Sequence, residues 1–272
     1  MPELPEVETI RLTLQQKLIG AKILSGEILH EKMILGISAA DFLSRVSGRT
    51  ITGLERRGKY LLLELSEGLV IGIHLRMTGR LTVENTDQSI AKATYFRLLL
   101  DNDKELRFND QRKFGKVFLF DQGNPPRSLL KIGPEPLSPD FTVSVLKKGF
   151  GRRSLAIKKA LLNQEIIAGI GNIYADEALF VSGIHPARPV NSLNESEISA
   201  LFQAIRQVLG EAVENRGTTF RDYRDGEGRS GSYQNKLRVY GRKGKTCSKC
   251  GGLIVKMNFG GRGTHFCPLC QK

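Results

Sequence analysis

The spacing of apolar residues predicts that the chain opens with a helix. Val7, Ile10, Leu14 and Leu18 recur at three- and four-residue intervals, which is typical of one buried helical face. Pro5 suits the first position of such a helix, and nearby acidic residues suit the positive end of its dipole. We therefore expect the helix to begin within the first six residues.

Residues 20–120 have the pattern of β-structure. Turn residues separate short apolar segments at positions 60–65, 69–75, 96–100 and 117–120. Ser66-Glu67-Gly68 and Asp101-Asn102-Asp103 have the composition of hairpin connections. Together these features predict a β-sandwich or barrel that carries one helix.

The second half of the chain has helical patterns. Five of the ten prolines fall between positions 122 and 139, which predicts a linker there. The first two predicted helices cover residues 154–162 and 173–181. A third starts at Asn194, where Glu197 completes a capping-box-like pair, and ends near Gly217. Residues 218–231 are rich in Gly, Arg and Asp, which predicts a mobile loop.

The net charge narrows the class of partner. The chain has 41 basic and 28 acidic residues, a net charge of +13, and residues 216–272 alone carry 13 basic and 3 acidic residues. Such an excess is typical of a protein that binds a phosphate-rich partner. Anionic membrane is the alternative, but this region shows no basic amphipathic helix with a bulky apolar face, so nucleic acid is preferred. The sequence also lacks a long apolar run and a signal peptide, which predicts a soluble, cytoplasmic protein.

The four cysteines predict a metal site. Cys247 and Cys250 form one Cys-x2-Cys pair, and Cys267 and Cys270 form a second. Sixteen residues separate the two pairs. This spacing matches a four-cysteine zinc ribbon, in which four thiolates leave no open position, so we predict one structural zinc ion. Disulfides or free thiols are the alternative, which the lack of a secretory signal disfavours. The residues between the pairs predict a β-hairpin with Arg262 near its tip.

The first residues carry candidate chemistry. Removal of Met1 would leave Pro2 with a free secondary amine, and an α-amino group has an ordinary pKa near 8, so part of it is unprotonated at neutral pH. Such an amine can attack the C1′ carbon of a sugar, and Glu3 or Glu6 could exchange protons with that sugar. The alternative is that these residues are an ordinary helix start.

Several other segments combine basic and bulky residues. Lys59, within Arg56-Arg57-Gly58-Lys59-Tyr60, is a candidate phosphate contact or proton donor, although a solvated basic run is the alternative. The segments around Met77 and around Arg112 and Phe114 could wedge between base pairs, although core packing is the alternative. Asn172 follows a Gly-rich turn at a predicted helix start, which favours a grip on a backbone phosphate.

Taken together, these motifs resemble the bacterial formamidopyrimidine-DNA glycosylase family, also called MutM, over almost the whole chain. The matching segments, in the family's order, are Pro2-Glu3-Leu4-Pro5-Glu6-Val7-Glu8-Thr9, Gly58-Lys59-Tyr60, Gly169-Ile170-Gly171-Asn172-Ile173-Tyr174-Ala175, Val239-Tyr240-Gly241-Arg242 and the zinc finger. The resemblance implies an α+β fold with three parts, and DNA held between the N- and C-terminal halves. The parts are an N-terminal β-sandwich catalytic domain with a flanking helix (residues 1–132), a helix-two-turn-helix domain with a lesion loop (133–235) and a four-cysteine zinc finger (236–272).

The resemblance also implies the reaction, which is that of a bifunctional glycosylase and abasic-site lyase in base excision repair. Pro2 would attack C1′ of a nucleotide carrying 8-oxoguanine or a formamidopyrimidine, and would form a Schiff base with the opened sugar. Glu3 would donate the proton that opens the sugar, and Lys59 would assist β-elimination. Arg262 would assist the δ-elimination that leaves a one-nucleotide gap.

The family's DNA contacts carry over by the same resemblance. Met77, Arg112 and Phe114 would fill the space of the rotated base, with Arg112 facing the orphaned cytosine. Phosphate contacts would come from His74, Arg153, Lys158 and Asn172, and the lesion loop would include Thr218, Thr219, Phe220, Arg221, Asp222 and Tyr223. The implied partner is double-stranded DNA with oxidised purines or abasic sites, bound by a monomer in the bacterial cytoplasm and nucleoid.

One segment departs from the family pattern, and two alternative functions stay open. Many relatives have Lys-His-x-His where this chain has Lys92-Ala93-Thr94-Tyr95, which puts any DNA contact of those histidines in doubt. An endonuclease VIII-like enzyme for oxidised pyrimidines is one alternative, although Leu4-Pro5-Glu6-Val7-Glu8-Thr9 favours the purine branch. A non-catalytic zinc-ribbon protein that binds damaged DNA is the other.

Overall fold

The structure is a computed structural model that describes residues 2–152 and 154–272, so Met1 and the predicted phosphate contact Arg153 lie outside the described residues. The chain divides into two compact units. Unit 1 comprises Met1–Leu130 and Arg216–Ser232, and unit 2 comprises Lys131–Asn215 and Tyr233–Lys272. The predicted domain boundaries follow motifs rather than contacts, and they stay a prediction.

Unit 1 is a sandwich of two sheets with helices. Its helices are α1 (Leu4–Leu18), α2 (Ala39–Val46) and α3 (Arg127–Leu130), and its strands are β1 (Ile23–Ile28), β2 (Ile34–Leu35), β3 (Ile51–Arg57), β4 (Tyr60–Leu65), β5 (Leu69–His74), β6 (Gly79–Asn85), β7 (Thr94–Leu100), β8 (Lys104–Asp110) and β9 (Lys116–Asp121). One sheet has the order β1-β7-β8-β6 and the other the order β2-β9-β5-β4-β3. Neighbouring strands are antiparallel except β2 and β9, which are parallel.

The core of unit 1 joins both sheets to α1. Val7, Ile10, Leu14 and Leu18 are fully buried in this core, which confirms the predicted helical face. The predicted hairpin connections at residues 66–68 and 101–103 join β4 to β5 and β7 to β8. The helix that begins beside Pro2 is therefore held by the whole sandwich.

Two short helices of unit 1 were not predicted. The sandwich carries α2 in addition to α1, because Ser38 caps it by accepting a hydrogen bond from Asp41 N (3.0 Å) and its Phe42 and Val46 are fully buried. Within the predicted linker, α3 forms because Leu129 packs into the unit and has only 6 % of its surface exposed.

Unit 2 contains the helix-two-turn-helix region and the zinc hairpin. Its elements are α4 (Val143–Phe150), α5 (Ile157–Leu162), α6 (Asn172–Ser182), α7 (Glu195–Glu214), β10 (Val255–Phe259) and β11 (Arg262–Phe266). The capping box predicted at Asn194 and Glu197 is present, because each side chain accepts a hydrogen bond from the other residue's backbone. The first predicted helix begins three residues later than expected, at Ile157.

These two units confirm the predicted α+β fold with a sandwich, a helix-two-turn-helix region and a terminal hairpin. Among the described residues, no helix combines the length and the apolar character that crossing a membrane requires.

The most deeply buried cation of unit 1 is Arg107 on β8, which has 1 % of its surface exposed. Its guanidinium group contacts the carboxylates of Glu105 (2.8 Å) and Glu84 (2.9 Å). It also donates to the carbonyl oxygens of Gln88 (2.8 Å) and Ser89 (3.0 Å), which belong to the loop after β6. A single side chain therefore fixes that loop against the outer face of the sheet.

Replacement of Arg107 by Met should lower the free energy of unfolding by about 3–5 kcal/mol, because it removes the buried cation that pairs with Glu105 and Glu84 and holds the loop after β6. Arg97 also pairs with Glu105 (3.1 Å), but it is 29 % exposed, so Arg97→Met should cost about 1 kcal/mol or less. Denaturant unfolding of the two variants measures both values. Equal losses would contradict the dominant role of the buried guanidinium group.

Candidate active site and nucleic-acid interface

Pro2 and Glu3 lie at the buried start of α1. Glu3 is the residue before the first helical position and has 3 % of its surface exposed. Its backbone N–H donates to Glu6 Oε2 (2.8 Å), and its side chain accepts from the backbone of Glu6. This reciprocal capping box fixes the backbone next to Pro2.

Lys59 lies at the tip of the β3–β4 hairpin. Gly58, which precedes it, has φ = 56°, a left-handed conformation that suits glycine in a two-residue turn. Lys59 is 7 % exposed, so the interpretation of this segment as a solvated basic run is wrong for Lys59. A charge held this deep belongs to the protein interior rather than to a solvated face.

An ion pair connects the same hairpin to α1. Arg56 Nε contacts Glu8 Oε2 at 2.8 Å, and Arg11 contacts the other oxygen at 2.7 Å. Burial favours the neutral form of Glu8, but hydrogen bonds from Arg11 and Arg56 outweigh it and lower the pKa of this carboxyl. The pair ties the hairpin that carries Lys59 to the helix that begins beside Pro2.

His74, a predicted phosphate contact, is buried and neutral at the end of β5. Its Nδ1 accepts a hydrogen bond from Arg76 N (3.0 Å), so Nε2 carries the proton. Burial lowers the pKa of His74 to about 3, helped by the positive charges of Arg76 and Lys59. Without a bound phosphate, His74 therefore offers Nε2–H as a neutral hydrogen-bond donor.

The three residues predicted to replace the rotated base form one exposed cluster. Met77 lies in the β5–β6 loop (residues 75–78), and Arg112 and Phe114 lie in the β8–β9 loop (residues 111–115). Met77 is 43 % exposed and Phe114 is 48 % exposed, so core packing does not explain them. The Arg112 guanidinium group lies 3.2 Å from Met77 Sδ and 5.0 Å from the centre of the Phe114 ring.

Asp110 holds both of these loops, although the sequence did not single it out. Its carboxylate accepts hydrogen bonds from Thr78 Oγ1 (2.5 Å), Arg112 N (3.1 Å) and Gly115 N (2.7 Å), and only 1 % of the residue is exposed. Asp110, the last residue of β8, therefore fixes both the β5–β6 loop, which contains Met77, and the β8–β9 loop. Its position directly before the exposed Gln111-Arg112-Lys113 run was the signal that could have found it.

Both loops also contain a backbone conformation that is rare outside glycine. Arg76 has φ = 57° and Lys113 has φ = 58°. A left-handed backbone conformation costs about 1–2 kcal/mol in a residue with a side chain. It is retained only where the surrounding structure imposes it. Tyr95 lies beneath one of these two residues, with Lys113 Nζ 5.3 Å from its ring centre.

The predicted lesion loop is an organised irregular loop whose ends meet. A Cβ atom on Gly231 would lie 2.2 Å from Gly217 O, so the chain enters and leaves the loop in contact. Inside the loop, Asp225 is buried and accepts hydrogen bonds from the backbone N–H groups of Glu227 (2.9 Å) and Arg229 (3.0 Å). The loop therefore has its own internal framework.

The lesion loop is anchored on α1, next to the candidate nucleophile. Thr218 N donates to Glu6 Oε1 (2.7 Å), the oxygen that the capping box leaves available, and the Tyr223 hydroxyl donates to Glu6 O (3.3 Å). Gly226 N donates to Thr13 Oγ1 (3.0 Å), two turns further along the helix. One carboxylate thus links the backbone beside Pro2 to the base of the lesion loop.

A polar cavity of about 410 Å³ separates the lesion loop from the outer face of β6 and β8. Asp222 and Arg224 line it on the loop side, and Thr78 and Gln111 line it at the two exposed loops. Ala93 also lines it. The small side chain leaves this part of the cavity open.

In unit 2, Arg262 is exposed at the end of the zinc hairpin. It is the first residue of β11 and pairs with Phe259 across the Gly260-Gly261 turn, as predicted for a residue near the tip. Two other predicted DNA contacts lie beneath it. Asn172 Nδ2 donates to Gly263 O (2.9 Å), and Lys158 is almost completely buried, with 1 % of its surface exposed.

Glu177 on α6 explains why the Val239-Tyr240-Gly241-Arg242 segment lies where it does. Its buried carboxylate accepts hydrogen bonds from the backbone N–H groups of Arg238 (2.8 Å), Val239 (2.9 Å) and Tyr240 (2.8 Å). Burial raises the pKa of Glu177 even though these donors oppose that shift. The sequence alone gives no signal for this role, because an acid in a helix is usually solvated.

The four cysteines form a site of the right size for zinc. Their Sγ atoms all lie within 4.8 Å of one another, with Cys247 and Cys270 3.8 Å apart and Cys250 and Cys267 3.5 Å apart. A tetrahedron of zinc–sulfur bonds of about 2.3 Å has edges of about 3.8 Å, so the four sulfurs suit one structural zinc ion. Phe180 of α6 and Ile254 pack against this site.

Acid should destabilise the wild-type protein more than a His74→Gln variant. The unfolded chain binds a proton at His74 below about pH 6.5, whereas the folded chain does so only near pH 3, so this contribution to stability falls as the pH falls. Between pH 7 and pH 5, the difference in unfolding free energy between the two proteins should shift by about 2 kcal/mol against the wild type. Denaturant unfolding at both pH values measures it, and a constant difference would show that His74 is not a buried neutral imidazole.

Family models match most of the chain. The model described as the formamidopyrimidine-DNA glycosylase N-terminal domain matches residues 1–117, and the one described as the H2TH domain of the same enzyme matches residues 132–224. A third, described as a zinc finger found in FPG and IleRS, matches residues 244–272.

Whole proteins and solved structures agree with these models. The formamidopyrimidine-DNA glycosylase of Pelotomaculum thermopropionicum is 47 % identical, with 100 % of this chain and 99 % of that protein covered, and that of Herpetosiphon aurantiacus is 44 % identical over the full length of both. A Lactococcus lactis FPG mutant in complex with Fapy-dG DNA matches with a TM-score of 0.94 and 38 % identity over all of both chains. The same organism's Fpg with abasic-site DNA matches with a TM-score of 0.94 and 38 % identity over 99 % of both chains. The chain belongs to the formamidopyrimidine-DNA glycosylase family.

Proposed function

We propose that this protein is a bifunctional DNA glycosylase and abasic-site lyase of base excision repair, which removes oxidised purines such as 8-oxoguanine and formamidopyrimidines from double-stranded DNA. The activities are those of a DNA-formamidopyrimidine glycosylase and a DNA-(apurinic or apyrimidinic site) lyase. The observation that carries the proposal is the full-length similarity to Fpg enzymes whose structures contain Fapy-dG or abasic-site DNA.

Pro2 is the nucleophile in this proposal. Its amine attacks C1′, the bond from C1′ to the damaged base breaks, and the electrons of that bond leave with the base. Because the amine is secondary, its product with the opened sugar is an iminium ion that keeps a positive charge and withdraws electrons from the neighbouring carbons. The reaction requires that Met1 has been removed, since Pro2 has no free amine otherwise.

Glu3 and Lys59 handle protons in this reaction. Glu3 protonates the ring oxygen of the sugar as the C1′–O bond opens, and Lys59 assists the β-elimination in which a proton leaves C2′ and the 3′-phosphate departs. The burial of both side chains supports these assignments, because a shielded acid or base exchanges protons with the substrate rather than with bulk water.

Met77, Arg112 and Phe114 occupy the space that the rotated nucleotide vacates. Their exposure and their mutual contacts support this role, since a polar–apolar cluster on a basic protein can replace lost stacking. Arg112 faces the orphaned cytosine, and its guanidinium group offers hydrogen-bond donors that match acceptors on that base. The anchoring of both loops by Asp110 would keep the cluster rigid before DNA binds.

The other predicted DNA contacts have different roles. Asn172 and the neutral His74 are hydrogen-bond donors for backbone phosphates, and Arg262 supplies positive charge during δ-elimination. The burial of Lys158 by Asp176 and Thr264 favours an indirect part in DNA binding. The lesion loop from Thr218 to Tyr223 closes over the damaged nucleobase. Its first residue, Thr218, is hydrogen-bonded to Glu6, close to the reacting residue Pro2.

We also propose that the enzyme acts as a monomer in the bacterial cytoplasm, associated with the nucleoid through DNA binding. Its net charge of +13 supports a strong and salt-sensitive affinity for DNA, because binding releases counterions from the phosphates.

Lesion preference tests the proposed substrate class. In duplex DNA, we expect faster release of 8-oxoguanine than of thymine glycol in single-turnover assays, as the purine assignment requires. Faster action on thymine glycol would instead identify an endonuclease VIII-like enzyme. Binding to damaged duplex without release of either base would identify a non-catalytic damage binder.

A further inference from the structure

The three residues that follow Arg262 are each held by side chains of α5 and α6. We call Lys158, Asn172 and Asp176 the hairpin clamp. Lys158 Nζ contacts Thr264 Oγ1 (2.8 Å) and lies 3.4 Å from Gly263 O, to which Asn172 Nδ2 also donates (2.9 Å). Asp176 Oδ2 accepts a hydrogen bond from His265 N (2.8 Å).

An ion pair joins the members of the clamp. Lys158 Nζ lies 2.5 Å from Asp176 Oδ1, and the two residues are 1 % and 0 % exposed. A buried ion pair of this kind often adds little stability compared with apolar residues of the same volume, whereas removal of one partner is costly. The Lys158–Asp176 pair makes directional contacts with residues 263–265, which indicates that it fixes the position of this strand.

The part of the hairpin beyond the clamp needs such a constraint. Gly260 and Gly261 form the turn, with φ values of 59° and 74°, and glycine is the residue with the greatest backbone freedom. On the other strand, Phe259 lies beneath Lys159 Nζ, 5.5 Å from the centre of its ring. Arg262 lies between these features, exposed and directly preceding the clamped residues.

We propose that the hairpin clamp positions Arg262 for δ-elimination, so that Lys158 and Asp176 are positioning residues rather than phosphate contacts, while Asn172 supports the hairpin in addition to its proposed phosphate contact. The inference rests on the proposed function, which makes Arg262 the residue that assists this step. In the step, C4′ loses a proton, the bond from C5′ to the phosphate oxygen breaks, and a C4′=C5′ double bond forms. The phosphate leaves with the bonding electrons, and the guanidinium group of Arg262 stabilises its charge.

The ratio of δ- to β-elimination product on abasic-site DNA measures the proposal. The main variant is the double substitution Lys158→Met with Asp176→Asn, which removes the buried charges together and leaves an acceptor oxygen for His265 N. A milder, matched pair is Thr264→Val, which removes the hydroxyl that Lys158 contacts, and Thr264→Ser, which keeps it. Melting temperature and zinc content identify any variant that fails to fold.

We expect the double substitution to lower the δ-to-β ratio about tenfold, since displacement of a catalytic group by about 1 Å has effects of this order or larger. Thr264→Val should lower the ratio less, Thr264→Ser should keep it near the wild-type value, and in an Arg262→Ala background the double substitution should cause no further loss. Borohydride trapping of the iminium ion by the Thr264→Val and Thr264→Ser variants should be unchanged, because Pro2 lies in the other unit.

Different outcomes separate this inference from the proposed function. A folded double variant with the wild-type ratio, or losses that add to that of Arg262→Ala, would overturn the clamp while leaving the function intact. A wild-type ratio for Arg262→Ala itself would overturn the role of Arg262, and the clamp with it. If the wild-type protein forms no borohydride-trapped adduct with DNA, the proposed reaction as a whole is refuted.

Discussion

The candidate active site depends on two hydrogen bonds that the carboxylate of Glu6 accepts. One oxygen accepts from the backbone of Glu3 and thereby fixes the first turn of α1, and the other accepts from Thr218 at the base of the lesion loop. The helix itself cannot shift, because its apolar face is buried in the sandwich core. The position of Pro2 is therefore set by the fold of unit 1, and the predicted lesion loop shares the same anchor.

The same arrangement recurs elsewhere in a protein with a large net positive charge. Asp110 holds the two loops that carry the exposed cluster, Asp176 holds the strand after Arg262, and Glu177 holds the turn at residues 238–240. In each case a buried acid accepts hydrogen bonds from backbone N–H groups, and in the first two cases an exposed basic side chain, Arg112 or Arg262, lies nearby. The basic surface suits DNA, and the buried acids give that surface a defined shape.

Apolar periodicity and motif spacing were sufficient to predict much of this structure. The face of α1, the capping box of α7 and the cysteine pairs depend on local patterns, and the structure contains all three. The short helix α2 was missed because its eight residues offer few periodic positions. Its Ser38 cap was present in the sequence but is a weak signal in isolation.

The partners of charged side chains could not be predicted, because they come from distant parts of the chain. Lys158 and Lys159 are adjacent in sequence, yet the first is buried against Asp176 and the second is exposed beside Phe259. Asp176 and Glu177 are likewise adjacent, in a helix where acids are usually solvated, and both are fully buried. Only the packing of α5, α6 and the zinc hairpin in unit 2 decides which of these residues is held inside.

The measurement that tests the central claim most directly is borohydride trapping on 8-oxoguanine duplex, followed by mass spectrometry of the cross-linked peptide. The account predicts a covalent adduct on the N-terminal peptide, with Met1 absent and the added mass on Pro2. A protein with one extra residue before Pro2, which blocks the amine, should form no such adduct. An adduct on a lysine such as Lys59, or equal trapping by the blocked protein, would contradict the claim that Pro2 is the nucleophile.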